Sequence, residues 1–93
     1  MATLIRVNGS RETVTPATPP AFTLEEMHGF VGGYIEVLQF EDGTIMVFNE
    51  EGKLIGLPYN PLATVYVKAR IEMLPGDYIA GDAVVVSSQE MGE

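Results

Sequence analysis

The stretch FNEEGKLIGLPYN, residues 48–60, gathers most of the groups in this chain that could do chemistry. Asn49, Glu50, Lys53, Tyr59 and Asn60 fall within it, while Glu36 upstream and Arg70 downstream add a carboxylate and a guanidinium. A lysine beside carboxamides, an aromatic face and a helix N-terminus can hold a small anion or a nucleobase. Glu36, Asn49, Glu50, Lys53, Tyr59, Asn60 and Arg70 are therefore the candidate ligand-binding residues. The same stretch also has a purely architectural reading. Asn49 can end a strand with its side chain bonded into a turn, Gly52 can take a positive φ, Leu57-Pro58 can pack, and Asn60 can cap a helix.

Catalytic groupings are scarce. His28 is the only histidine, it falls on a short helix beside the apolar stripe, and there is no cysteine. Thiol nucleophiles, zinc ribbons and disulfide staples are excluded. No nucleophile elbow, Walker loop or H-E-x-x-H occurs, and Gly29, Gly32 and Gly33 end a helix where a dinucleotide fingerprint would open one. Glu36, Glu50 and Glu51 could gather carboxylates around a divalent ion, but calcium-loop spacing is missing. No catalytic residue, metal site or cofactor is assigned, and an enzyme acting through Glu36, Glu50 or His28 is the minority reading.

Composition narrows the partners. Thirteen acids against five Lys and Arg give a formal charge of −8 over 93 residues. Phosphate backbones are recognised by basic patches, so direct nucleic-acid binding is not expected, and anionic membranes are disfavoured alike. The acids are scattered as on an ordinary solvated face, whereas an acidic mimic of nucleic acid wants denser carboxylates. A hydrophobic share of 46% suffices for one core, and a second core would have nowhere to form. Such a share in so short a chain also suggests homo-oligomerisation. Residues 1–22 lack a signal-peptide pattern and no apolar run approaches ~18 residues. The expectation is a soluble protein of the bacterial cytoplasm.

The elements that must position these groups follow from turn and cap signals. Thr3–Val7 and Arg11–Thr15 flank Asn8-Gly9, and Tyr34–Phe40 and Thr44–Asn49 flank Asp42-Gly43, which predicts two hairpins with two-residue turns. Counting back pairs Phe40 with Ile45 and Leu38 with Val47. Both faces of the second hairpin are apolar, which points to a central position or to a second subunit. Between the hairpins PATPP, residues 16–20, forms an extended connection. Thr23 with Glu26 matches a capping box, Phe22 with Met27 a hydrophobic staple, and Leu24, Met27 and Val31 one buried stripe ended by Gly32-Gly33. Lys53–Ile55 reads as a short third strand of the meander. Asn60-Pro61 starts a helix over 61–69, although the β-branched run TVYV competes. Residues 78–80 open a strand and 83–87 finish it; residues 88–93 fray. The sum is a single α+β domain over 1–93 with its core in 3–87: a small, mostly antiparallel sheet of about five to six short strands in two hairpins, a short helix after residue 23 and a second near 61–69.

Three blocks, VGGYIE (31–36), NEEGKLIGLPYN (49–60) and DYIAG (77–81), occur in this order. With them the chain resembles an uncharacterised family of small domains from phages and other mobile elements, of pattern VGGYIE…NEEGKLxGLPxN…DxIxG. The resemblance implies a mobile-element origin and brings no activity. The leading expectation is a non-catalytic binding protein, a counter-defence factor that sequesters a small nucleotide-type host signal. The alternative is a protein–protein module that blocks a host factor.

Overall fold

Two Asx-Gly pairs set the geometry of the sheet. In the computed structural model, which describes residues 1–92, β1 (Ala2–Ile5) and β2 (Arg11–Val14) form one hairpin, and β3 (Ile35–Gln39) and β4 (Thr44–Asn49) the other. The expected two-residue turns give way to three-residue loops. The Arg6 N–H donates to the Ser10 carbonyl at 3.0 Å, and the Phe40 N–H to the Thr44 carbonyl at 2.9 Å, closing each loop one residue wider. A two-residue type I′ turn needs positive φ at both central residues. Only Gly9 (φ 91°) and Gly43 (φ 88°) adopt it, and Asn8 and Asp42 do not. The side-chain oxygens of Asn8 and Asp42 instead accept from the N–H two residues on, at 2.9 and 3.0 Å, which holds them in the right-handed turn. The register moves by one residue as a result. Val37 faces Val47 and Leu38 faces Met46, so Leu38 shares a face with Met46 and Phe48 instead of with Ile45 and Val47.

β5 (Ala83–Ser87) joins the hairpins into an antiparallel sheet of order β2-β1-β5-β4-β3. Helix α1 (Leu24–Val31) covers one face, where Met27 and Val31 meet Leu4, Ile45, Val47, Val84 and Val86. Helix α2 (Pro61–Lys68) covers the other, setting Ala63 and Val67 on Ile5, Met46 and Ala83. The two-sided apolarity of the second hairpin is thus explained within one chain, by α2 over β4. β3 itself lies at the sheet's edge, so the hairpin is not central. Met46, Val47 and Val84 are completely buried, and each such side chain stabilises the fold by about 1.5–3 kcal/mol over its exposed form.

Local signals decide the helices. At α1 the capping box is complete: the Thr23 hydroxyl accepts from the Glu26 N–H at 3.0 Å, and the Glu26 carboxylate accepts from the Thr23 N–H at 2.8 Å. Leu24 leaves the expected stripe and is 60% exposed. Phe22, edge-to-face with Phe30, is buried in one cluster with Met27 and Val31. At α2, Asn60 and Pro61 start the helix, and the β-branched run is accommodated because Thr64 donates to the Asn60 carbonyl at 2.8 Å. Three expectations are corrected. Lys53–Ile55 lies in consecutive turns spanning residues 50–56, with Ile55 N–H bonded to the Glu51 carbonyl. Residues 78–80 contribute one bridge, Tyr59 to Ala80, and no strand. Residues 88–91 do not fray but form α3 (Ser88–Met91), because Ser87 and Glu90 make a second capping box.

Carboxylates used in these caps and turns carry the pH response. Backbone N–H donors from Thr23 and Ala17 hold Glu26 below its ordinary range, the Thr44 hydroxyl and N–H hold Asp42 there, and Lys53 and the Tyr78 N–H hold Asp77 there. At Glu90 burial pushes upward, but the bonds from Ser87 and the Met1 amino group prevail and the net direction is down. Folded values below unfolded ones mean that this stability is complete above the unfolded carboxylate range, about pH 4–4.5, and is lost as pH falls through the folded values. Urea midpoints should be level from about pH 8 to 5 and fall below about pH 4. Glu26→Gln should flatten part of that fall, which a midpoint series across pH reads directly.

Candidate functional site

The two asparagines of the central stretch are structural. Asn60 is completely buried. Its amide donates to the Ile5 and Gly81 carbonyls, both at 2.9 Å, and its side-chain oxygen accepts from the Ala63 N–H at 3.0 Å. Every polar atom of that side chain is engaged. Asn49, also buried, donates to the Val31 carbonyl at 3.1 Å and accepts from the Glu51 N–H at 2.8 Å, tying the end of α1 to the turn after β4. Asn60 is therefore withdrawn from the ligand-binding set. Asn49 borders the cleft described next, with its carboxamide directed to the α1 side.

On the α2 side of the sheet a cleft of about 400 Å³ opens above the β3–β4 ladder. Leu38 and Phe48 contribute its sheet side, Met73, Tyr78 and Ile79 the segment before β5, and Glu50, Lys53 and Leu54 the turns after β4. Alternation along the strands puts Glu36, Leu38 and Phe48 on this one face. Four of the expected residues, Glu36, Asn49, Glu50 and Lys53, line the cleft. Its charge is mainly negative. Lys53 pairs with Asp77 and lies 4.9 Å from the centre of the Tyr78 ring. Glu36 and Glu50 form no ion pair among the described residues.

The remaining expected residues lie elsewhere. Tyr59 stands outside the cleft wall, edge-to-face with Tyr78 at 5.7 Å. Arg70 sits past the end of α2, bonded to Asp42 at 3.0 Å and 3.5 Å over the Tyr66 ring. It borders a different groove with Leu62, Val65 and Arg11, because the helix carries it away from the 50–56 turns. His28 stacks edge-to-face on Tyr34, with ring centres 5.8 Å apart. Among the described residues no three His, Asp or Glu side chains gather as a metal site. Sequence reasoning missed Asp77, Tyr78 and Met73 as cleft residues. The block DYIAG held the first two, but nothing local said that it would fold back onto Lys53.

Over residues 2–93 the sequence matches the family described as a domain of unknown function, DUF3846. The chain belongs to this family. No curated protein and no solved structure gives a significant match. Within this DUF3846 domain the three sequence blocks meet. A Cβ at Gly33 would lie 2.9 Å from the Asn49 amide nitrogen, one at Gly52 2.9 Å from the Ala80 carbonyl oxygen, and one at Gly81 2.7 Å from Leu57 Cδ1. Gly52 does not take the positive φ expected of it; it is needed for space, where the 50–56 turns cross the backbone before β5. No helix among the described residues is long and apolar enough to cross a membrane.

Gly52→Ala should therefore cost about 1–3 kcal/mol, because a backbone carbonyl cannot move aside as a side chain can. Asn60→Ala should cost about 3 kcal/mol or more, since two carbonyls and an N–H lose their partner. Lys53→Met should stay within about 0.5 kcal/mol, as expected for an exposed pair. Urea unfolding of the variants separates the architectural residues from the cleft residue.

Proposed function

We propose that this DUF3846 domain is a non-catalytic binding protein whose cleft between the β3–β4 ladder and the segment before β5 takes a cationic or neutral hydrogen-bond donor. The observation that carries this reading is the imbalance of charge at the cleft. Among the described residues Glu36 and Glu50 form no ion pair beside Leu38, Phe48 and Tyr78, while the one cation lining the cleft, Lys53, already faces Asp77. An ammonium or guanidinium with an apolar stem satisfies both parts, carboxylates at the rim and apolar surface beneath. A volume of about 400 Å³ suits one such group or one nucleobase.

The phage counter-defence form of this reading, sequestration of a nucleotide-type signal, places a further condition on the ligand. Its base would lie against Phe48 and Tyr78, and its phosphate would point to solvent, away from Glu36 and Glu50. Titration of ¹⁵N-labelled protein with agmatine, adenosine and AMP orders these cases. Agmatine should bind tightest and AMP weakest, roughly fivefold or more apart, with shifts at Phe48, Leu54 and Tyr78, and Glu50→Gln should narrow the gap. Tightest binding by AMP, or shifts outside the cleft, would contradict the charge-based reading.

A further inference from the structure

The two edges of the sheet are built differently. β2, Arg11–Val14, presents both signs of charge, Arg11 and Glu12, and its Glu12 pairs with Arg6. β3 carries IEVLQ, with one charged residue, Glu36, and no proline, lysine or arginine. Natural edge strands are usually blunted by such residues or by bulges. Beside β3, Tyr34 is 68% exposed and Val37 is 38% exposed.

The ladder fixes which backbone groups face outward. The Glu50 N–H donates to the Tyr34 carbonyl and the Phe40 N–H to the Thr44 carbonyl, with Glu36–Phe48 and Leu38–Met46 in the same register between them. In an antiparallel pair, residues that exchange bonds alternate with residues turned away. Ile35 and Val37 therefore direct their N–H and carbonyl groups to the open edge. Neither has a backbone partner there among the described residues.

We infer that β3 accepts an extended segment of another protein as a sixth strand, with basic side chains of that segment entering the acidic cleft. The inference rests on the cleft's being a binding site and names what enters it. Strand addition supplies affinity through main-chain bonds, and pockets for alternate side chains supply selectivity. A strand laid against β3 places every second side chain on the face that carries Glu36 and Leu38, beside the cleft. There Glu36 and Glu50 meet a lysine or arginine, while the intervening apolar residues lie on the opposite face, beside Val37. A second copy adding its own β3 would bring Glu36 and no cation, and each copy carries −8.

The test uses a capped heptapeptide, Val-Lys-Val-Arg-Val-Thr-Val, its version with Glu in place of Lys and Arg, and its version N-methylated at alternate backbone nitrogens. The basic peptide should shift the Ile35 and Val37 amides and bind roughly tenfold or more tighter than the acidic one. N-methylation of the edge-facing nitrogens should abolish binding, as should Val37→Pro, which removes an N–H the ladder does not use. Val37→Thr should retain it. Equal binding of the N-methylated peptide, with shifts at the cleft, would overturn strand addition and leave the cleft reading standing. Equal binding of the acidic peptide would overturn both. Absence of binding at millimolar peptide overturns the inference, as does a Val37-dependent dimer by light scattering, which would assign the edge to a second copy.

Discussion

The carboxamide of Asn60 is the joint on which this fold turns. It reaches the end of β1 through Ile5, the approach to β5 through Gly81, and the first turn of α2 through Ala63. Those segments are distant in the chain, and none is held to the others by a disulfide, since cysteine is absent. A buried amide with every donor and acceptor satisfied fixes their relative position more sharply than apolar contact can. Around it Thr64 extends the same network. Its hydroxyl donates to the Asn60 carbonyl and accepts from the Ile79 N–H, so the segment before β5 is secured against α2. The cleft exists because that segment is held above the sheet at this height.

Architecture and cleft chemistry divide the central stretch between them. Asn49, Gly52, Leu57 and Asn60 hold the turns, the neighbouring glycines and the start of α2, while Glu50, Lys53 and Leu54 are left at the rim. The cations are largely engaged as well: Arg6 by Glu12 and Asp82, Lys53 by Asp77, and Arg70 by Asp42. Pairs as exposed as these contribute little to stability. Their effect is to direct the positive charges toward neighbouring carboxylates, so the negative excess is felt where acids have no partner, and Glu36 and Glu50 are such a place.

Much of the fold was legible because it depends on short-range signals. The capping box at Thr23, the Asn60-Pro61 start and the glycine stop after Val31 each act within a few residues, and each was readable. The hairpins were readable in position but not in register. Register depended on whether Asn8 and Asp42 would enter the left-handed region or bond their own backbone, and a dipeptide signal does not separate those outcomes. The site was less legible for a different reason. Glu36, Asn49, Glu50 and Lys53 meet because they flank one hairpin, but Asp77 and Tyr78 join them through long-range contacts that depend on buried Asn60. Arg70 looked close in the chain and lies on another surface, since α2 carries it away. Ser87 and Glu90 formed a second capping box in a tail whose composition suggested fraying.

An open edge is an uncomfortable feature for so small a domain, because an unpaired strand is a template for any extended chain. β2 eases the difficulty with charges of both signs, Arg11 and Glu12. β3 carries only Glu36, and a lysine at its exposed Val37 would blunt it further. Two copies approaching edge to edge carry −8 each, and that repulsion gives the β3 edge protection against its own kind before the strands can align. That protection is selective. It repels other copies and acidic chains, and it attracts basic ones. The net charge that disfavours a phosphate backbone thus also biases the open edge toward basic chains.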